Sequence, residues 1–140
     1  MAHVGNLKEK PVITGVGCTK FGSVLKTPEI KGLAFQELAC EAAFEAMDEA
    51  GVDPKDIDAF YIGSMVSHIS HLYSHHTQMA DWLGLHLKPG LHFATACSTT
   101  NTGVGMAAMD VASGKFRNVL VLGCEILSSE AQDDPTKRKA

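Results

Sequence analysis

Cys97 stands where a β-prone run gives way to a helical one, within Phe93-Ala94-Thr95-Ala96-Cys97-Ser98-Thr99-Thr100. A thiol at a helix start meets free backbone N–H groups and the positive end of the helix dipole, and both favour thiolate over thiol. The same amides can hold the oxyanion that forms when an acyl group arrives on sulfur. Covalent acyl transfer is the chemistry this placement suits, because sulfur is a strong nucleophile and exchange between thioesters is nearly balanced in free energy. Spacing alone leaves one alternative open: a small cysteine that merely fills a strand–helix junction.

A second group with chemical potential is the histidine cluster Ser67-His68-Ile69-Ser70-His71-Leu72-Tyr73-Ser74-His75-His76. On one helix, His68, His71 and His75 would share a face and could ligate zinc or copper. The cluster contains no carboxylate, and neither HExxH nor a His/Cys zinc pattern occurs. No metal site is therefore assigned, and His68, His71, His75 and His76 are expected to line an interface or a substrate pocket without a proton-transfer role. Gly15-Val16-Gly17 lacks the third glycine and helix start of a dinucleotide fingerprint. Cys18, Cys40 and Cys124 are expected to be structural, and Lys137-Arg138-Lys139 to be solvated.

The elements that must position Cys97 follow from periodicity. Val12–Val16 predicts a first strand, and residues 29–50 a helix with an acidic stripe of Glu37, Glu41, Glu45 and Glu49 facing solvent, stopped by Gly51. Ala59–Gly63 predicts a second strand and residues 77–83 a short helix. Leu91–Thr95 predicts a third strand, residues 98–113 a helix, and Asn118–Gly123 the clearest strand of the chain. Alternating strands and helices imply right-handed crossovers and an α/β fold with a mostly parallel sheet. The last helix carries Asp110 as its only formal charge between Thr99 and Ala112, with small residues all round. Such a helix is covered on every side. One sheet covers one side, so a second layer must come from elsewhere.

Composition narrows the function classes. The 140 residues are 45% apolar and 20% charged, too apolar for disorder, and the net charge of −4 argues against a nucleic-acid binder. No apolar stretch is long enough to span a bilayer, and residues 1–10 lack the apolar core of a secretory signal. The four cysteines are scattered without a CxxC pair, which fits reduced thiols in a cytoplasmic protein.

The run Ala94-Thr95-Ala96-Cys97-Ser98, the small-residue helix, Val111-Ala112-Ser113-Gly114 and Val119-Leu120-Val121-Leu122-Gly123-Cys124-Glu125 resembles the nucleophile region of the thiolase superfamily. Ile13 to Gly22 is similar to that family's first strand and loop, Ala42 to Asp58 to the next helix and turn, and Gln78-Met79-Ala80 with Leu83-Gly84-Leu85 to the helix before the nucleophile strand. The resemblance implies that an acyl-CoA acylates Cys97. It implies a thiolase-like α/β fold with a buried central helix, incomplete because only the first part of the N-terminal half is present. Residues 1–128 would form that partial domain, and 129–140 a polar tail or the start of the covering-loop region. Coenzyme A thioesters would be substrates, with no metal or redox cofactor. The family's catalytic histidines and second cysteine lie in a C-terminal half, so turnover would need that half or a partner chain. A non-catalytic subunit and a ketoacyl synthase III-like fragment are the alternative readings. Family members pair through the strand before the nucleophile, here Leu91–Thr95, and archaeal relatives also bind zinc-ribbon/OB-fold proteins. Homo-oligomers or hetero-oligomers are therefore expected. One departure stands out: the common Cys-x-Ser-Gly pattern reads Cys97-Ser98-Thr99-Thr100 here.

Overall fold

The structure is a computed structural model that describes residues 8–65 and 74–127. Among these residues lie three strands, β1 (Ala59–Gly63), β2 (Gly90–Phe93) and β3 (Val119–Gly123). They alternate with three helices, α1 (Phe35–Ala50), α2 (His75–Trp82) and α3 (Thr99–Ala112). The strands are parallel in the order β2-β1-β3. As the middle strand, β1 is buried along its whole length.

The pleat sends alternate residues to opposite faces. Phe60, Ile62, Leu120 and Leu122 join Ala39, Ala43 and Met47 of α1 and Met79 of α2 in the larger core. Ala59 and Tyr61 face the other way, against Ala107 of α3, with Phe93, Val119 and Val121 at the margin. The predicted α/β class with a mostly parallel sheet is the architecture observed. Asp58 joins the starts of β1 and β3: its carboxylate accepts the N–H groups of Asn118 (2.9 Å) and Arg117 (2.8 Å), and these bonds hold its carboxyl below the usual carboxylate range.

α1 begins at Phe35 and not near residue 29. Pro28–Ile30 forms a separate 3-10 turn, and Gly32 at φ 78° breaks any continuation. Glu37 then caps the helix by accepting the Ala34 N–H at 2.7 Å, and Gly51 ends it at φ 66°.

The predicted strand Val12–Val16 is a correction. It belongs to no sheet and runs along α1 instead. Glu49 accepts the Val16 N–H at 2.6 Å and Glu45 accepts the Cys18 N–H at 2.8 Å. One turn and a fraction of helix, four residues, advances about 6 Å, and two residues of extended chain advance about 6.6 Å. Glutamates at i and i+4 therefore match amides at i and i+2, with the segment antiparallel to the helix. Half of the stripe expected to face water thus replaces a missing strand partner. Gly15 and Gly17 alternate with these amides and lie so close to α1 that a β-carbon would overlap the carbonyl oxygens of Ala46 and Ala42. An open groove lies between this segment, α1, α3 and β3.

α3 is covered on one face only. Thr99, Gly103, Ala107 and Ala112 are buried, whereas Val104 and Met109 on the opposite side are exposed. Its single charge is accounted for: Asp110 accepts a hydrogen bond from the buried Tyr61 hydroxyl and lies 3.6 Å from Lys115 Nζ. Burial and that carboxylate push the Tyr61 phenol up to about 12. Among the described residues no helix is long and apolar enough to cross a membrane.

Candidate active site at the carboxyl edge of the sheet

Parallel α/β sheets present their sites at the carboxyl ends of the strands. Ser64 follows β1, Cys97 lies beyond β2 and Glu125 follows β3 at these ends. Cys97 is exposed, in the tight turn between β2 and α3. The residue before it, Ala96, adopts φ 53°, a left-handed conformation that costs a residue with a β-carbon about 1–2 kcal/mol. The turn is closed by Ser98 N–H to Thr95 O (3.2 Å) and Thr99 N–H to Ala96 O (3.1 Å). The Thr99 hydroxyl adds two more bonds, accepting the Thr95 N–H at 2.8 Å and donating to Ala96 O at 2.6 Å. The N–H groups of Thr100 and Asn101, in the first turn of α3, have no acceptor among the described residues. An exposed thiol beside free amides is an arrangement that can accept an acyl group and hold its oxyanion.

The other cysteines differ in environment. Cys40 is buried, and burial raises its thiol. Cys124 donates to Phe35 O at 3.6 Å, and burial, then Glu125, pushes its thiol up to about 12. Cys40 is buried, as expected, and Cys124 is partly buried. Cys18 was expected to be structural and is exposed, so it is the second accessible thiol among the described residues.

Glu125 accepts the Met65 N–H at 2.5 Å and the Ser64 hydroxyl at 3.4 Å, which ties the chain leaving β1 to the end of β3. His92 Nε2 lies 3.3 Å from Ser64 O, and its ring lies tilted against His75 with centroids 4.5 Å apart. Phe35 flanks the other side of His75 at 4.7 Å. Sequence reasoning passed over Ser64, Thr99 and this role of Glu125. For Ser64 and Glu125 the available signal was a polar residue one or two positions beyond an apolar strand.

Of the histidine cluster, His75 and His76 are among the described residues. α2 begins only at His75, after Ser74, and His75 is fully buried between aromatic rings. His68 and His71 lie outside the described residues. Burial, with His92 and then His76 beside it, pulls the His75 imidazole down to about 4. In the unfolded chain an imidazole takes its proton near pH ~6.5. Between these values the unfolded state binds more protons, so this contribution to stability is complete above the unfolded value and is lost as pH falls towards the folded one. Thermal or urea melts between about pH 7 and pH 4.5 should show a loss on the order of 1–3 kcal/mol. The slope should flatten in His75→Leu; an unchanged slope in that variant would exclude His75 as the source.

Residues 11–140 match the family described as Thiolase, N-terminal domain. This chain belongs to the thiolase family. It is 35% identical over 120 residues to an acetyl-CoA acetyltransferase of Methanocaldococcus jannaschii, covering 81% of this chain and 28% of that relative. It is 36% identical over 103 residues to a β-ketoacyl-[acyl-carrier-protein] synthase III of Vibrio parahaemolyticus, covering 73% and 31%. Among solved structures, 3-oxoacyl-[acyl-carrier-protein] synthase III of Aquifex aeolicus superimposes with a TM-score of 0.62 at 26% identity, over 69% of this chain and 31% of that one. The Ltp2–ChsH2(DUF35) aldolase gives 0.59 at 26% identity, over 82% and 27%. The thiolase-family chain thus spans about three-tenths of the length of the relatives it matches. Where the thiolase pattern commonly has glycine, Thr100 stands against Gly123 of β3, whose missing side chain leaves the room that the hydroxyl occupies.

Proposed function

We propose that this chain carries the acyl-accepting part of a thiolase-type acyl-CoA acyltransferase. The observation that carries the reading is the exposed Cys97 on a hydrogen-bonded, left-handed turn at the start of α3. In the proposed step the Cys97 thiolate attacks the thioester carbonyl, the bond from that carbon to the coenzyme A sulfur breaks, and coenzyme A leaves as a thiolate that takes up a proton. The amides of the first helical turn face the oxyanion formed on the way. Claisen condensation or thiolytic cleavage then requires a base beside a second carbonyl and donors for a second oxyanion. Those groups are assigned to a C-terminal thiolase half, on the same or another polypeptide, packed over the open face of α3. Val104 and Met109, exposed on that face, support the assignment.

A second reading, a partial subunit acting within a hetero-oligomer, is favoured by the likeness to the Ltp2–ChsH2(DUF35) aldolase, whose name joins two proteins. Size-exclusion with light scattering separates the two: a stable monomer that captures no partner argues against a subunit role.

The acyl-acceptor reading is tested by alkylation with iodoacetamide and peptide mapping. Cys18 is the control, exposed but away from any helix start. Cys97 should react about tenfold faster than Cys18, and Cys40 slowest. Equal rates at Cys97 and Cys18 would overturn the reading.

A further inference from the structure

We propose that Thr99 is the residue that positions Cys97, and that the paired glycines Gly63 and Gly123 form the seat that allows it to. The inference rests on reading Cys97 as the acyl acceptor. A left-handed alanine persists only where its surroundings hold it. At this turn a single oxygen does so from both sides. Thr99 Oγ1 accepts the Thr95 N–H and donates to Ala96 O, so the peptide unit that follows the left-handed residue and the one that precedes Thr95 are tied to one hydroxyl. A threonine bonding back to the carbonyl three residues earlier is common at helix starts. Accepting at the same time an amide from the incoming strand end is not part of that habit, and it closes the loop from which Cys97 projects.

The seat explains how the hydroxyl comes to be there. Thr99 is 6% exposed, and its methyl group packs over Gly63, where a β-carbon would come within 2.6 Å of Thr99 Cγ2. Gly63 pairs in register with Gly123, and a β-carbon on Gly123 would overlap Thr100 Oγ1. Two adjacent glycines in neighbouring strands make a notch, into which the first turn of α3 sinks. A second brace backs the arrangement: Thr95 Oγ1 and Thr102 Oγ1 lie 3.0 Å apart, and Thr102 Oγ1 donates to Ser98 O at 3.0 Å.

The test is the ratio of Cys97 to Cys18 alkylation rates in the folded chain, with circular dichroism and a melt recorded for each variant. Thr99→Val keeps shape and loses the hydroxyl; the ratio should fall about tenfold, towards that of an ordinary exposed thiol, since the sulfur then loses its fixed place at the start of α3. Thr99→Ser keeps the hydroxyl and loses the methyl, and should recover most of the ratio even where its melting point is lowered. Gly63→Ala keeps the hydroxyl and lifts it from its seat, so it should also lower the ratio, and it serves as the deciding variant where Thr99→Val does not fold. A merely structural Thr99 would shift melting points and leave the ratio unchanged in all three, which would overturn the proposal. In the parent chain, a Cys97 no faster than Cys18 would instead overturn the acyl-acceptor reading, so the two failures are distinct.

Discussion

Replacing Gly17 by alanine should strip the N-terminal segment from α1. The added β-carbon would overlap Ala42 O and lie 2.8 Å from Ala46 N. Both are helix backbone atoms held by i to i−4 bonds, so the helix cannot give way and the segment must. Its two hydrogen bonds to Glu45 and Glu49 are then lost. Bonds to charged groups contribute about 1.5–3 kcal/mol each, towards the lower end at an exposed site, so docking of the segment should weaken by about 2–4 kcal/mol. Hydrogen exchange at the Val16 and Cys18 amides should accelerate about 100-fold or more, while β1 amides change far less. Gly105→Ala is the natural contrast. Nothing lies within 4 Å of a β-carbon there, and replacing a glycine inside a helix should stabilise by about 0.5–1 kcal/mol. Unchanged exchange at Val16 and Cys18 in Gly17→Ala would refute the packing described for this segment.

That segment also marks where sequence stops specifying structure. Val12 to Val16 reads as a strand because β-branched residues suit extended chain, but composition does not name the partner, and here the partner is a helix side. A glutamate every fourth residue looks the same whether it meets water or a row of amides. By contrast, the two apolar runs at Ala59–Gly63 and Val119–Gly123 and the small-residue helix were legible, because burial on both faces of a parallel sheet requires near-continuous apolar residues. The location of Cys97 was legible for the same reason, since it lies between two clear elements. Thr99 was not: one threonine at a helix start carries no signal of a bond across the turn. Gly63 and Gly123 read as strand ends when they are equally the floor under Thr99 and Thr100. His75 lay in a polar-looking cluster, and only the structure places it between Phe35 and His92.

The second large effect concerns Cys97 itself. If it is the acyl acceptor, Cys97→Ser should remove essentially all covalent acyl transfer to the chain, because an alcohol is a far weaker acid and nucleophile than a thiol and needs a dedicated base to attack a thioester. The other cysteines cannot substitute. Cys40 and Cys124 are held as thiols by burial. Cys18 is accessible, and its contact is with Thr19 O, an acceptor that does nothing for an anion on sulfur. Stability should change little with the substitution, since the side chain is exposed.

The direct measurement is intact-mass spectrometry of the chain after incubation with acetyl-CoA, quenched in acid and mapped by peptide. The expected result is a single adduct of about 42 Da on Cys97, absent from Cys97→Ser and discharged when free coenzyme A is added. No adduct on Cys97 in a chain whose circular dichroism shows it folded, or an adduct shared equally with Cys18, would contradict the assignment.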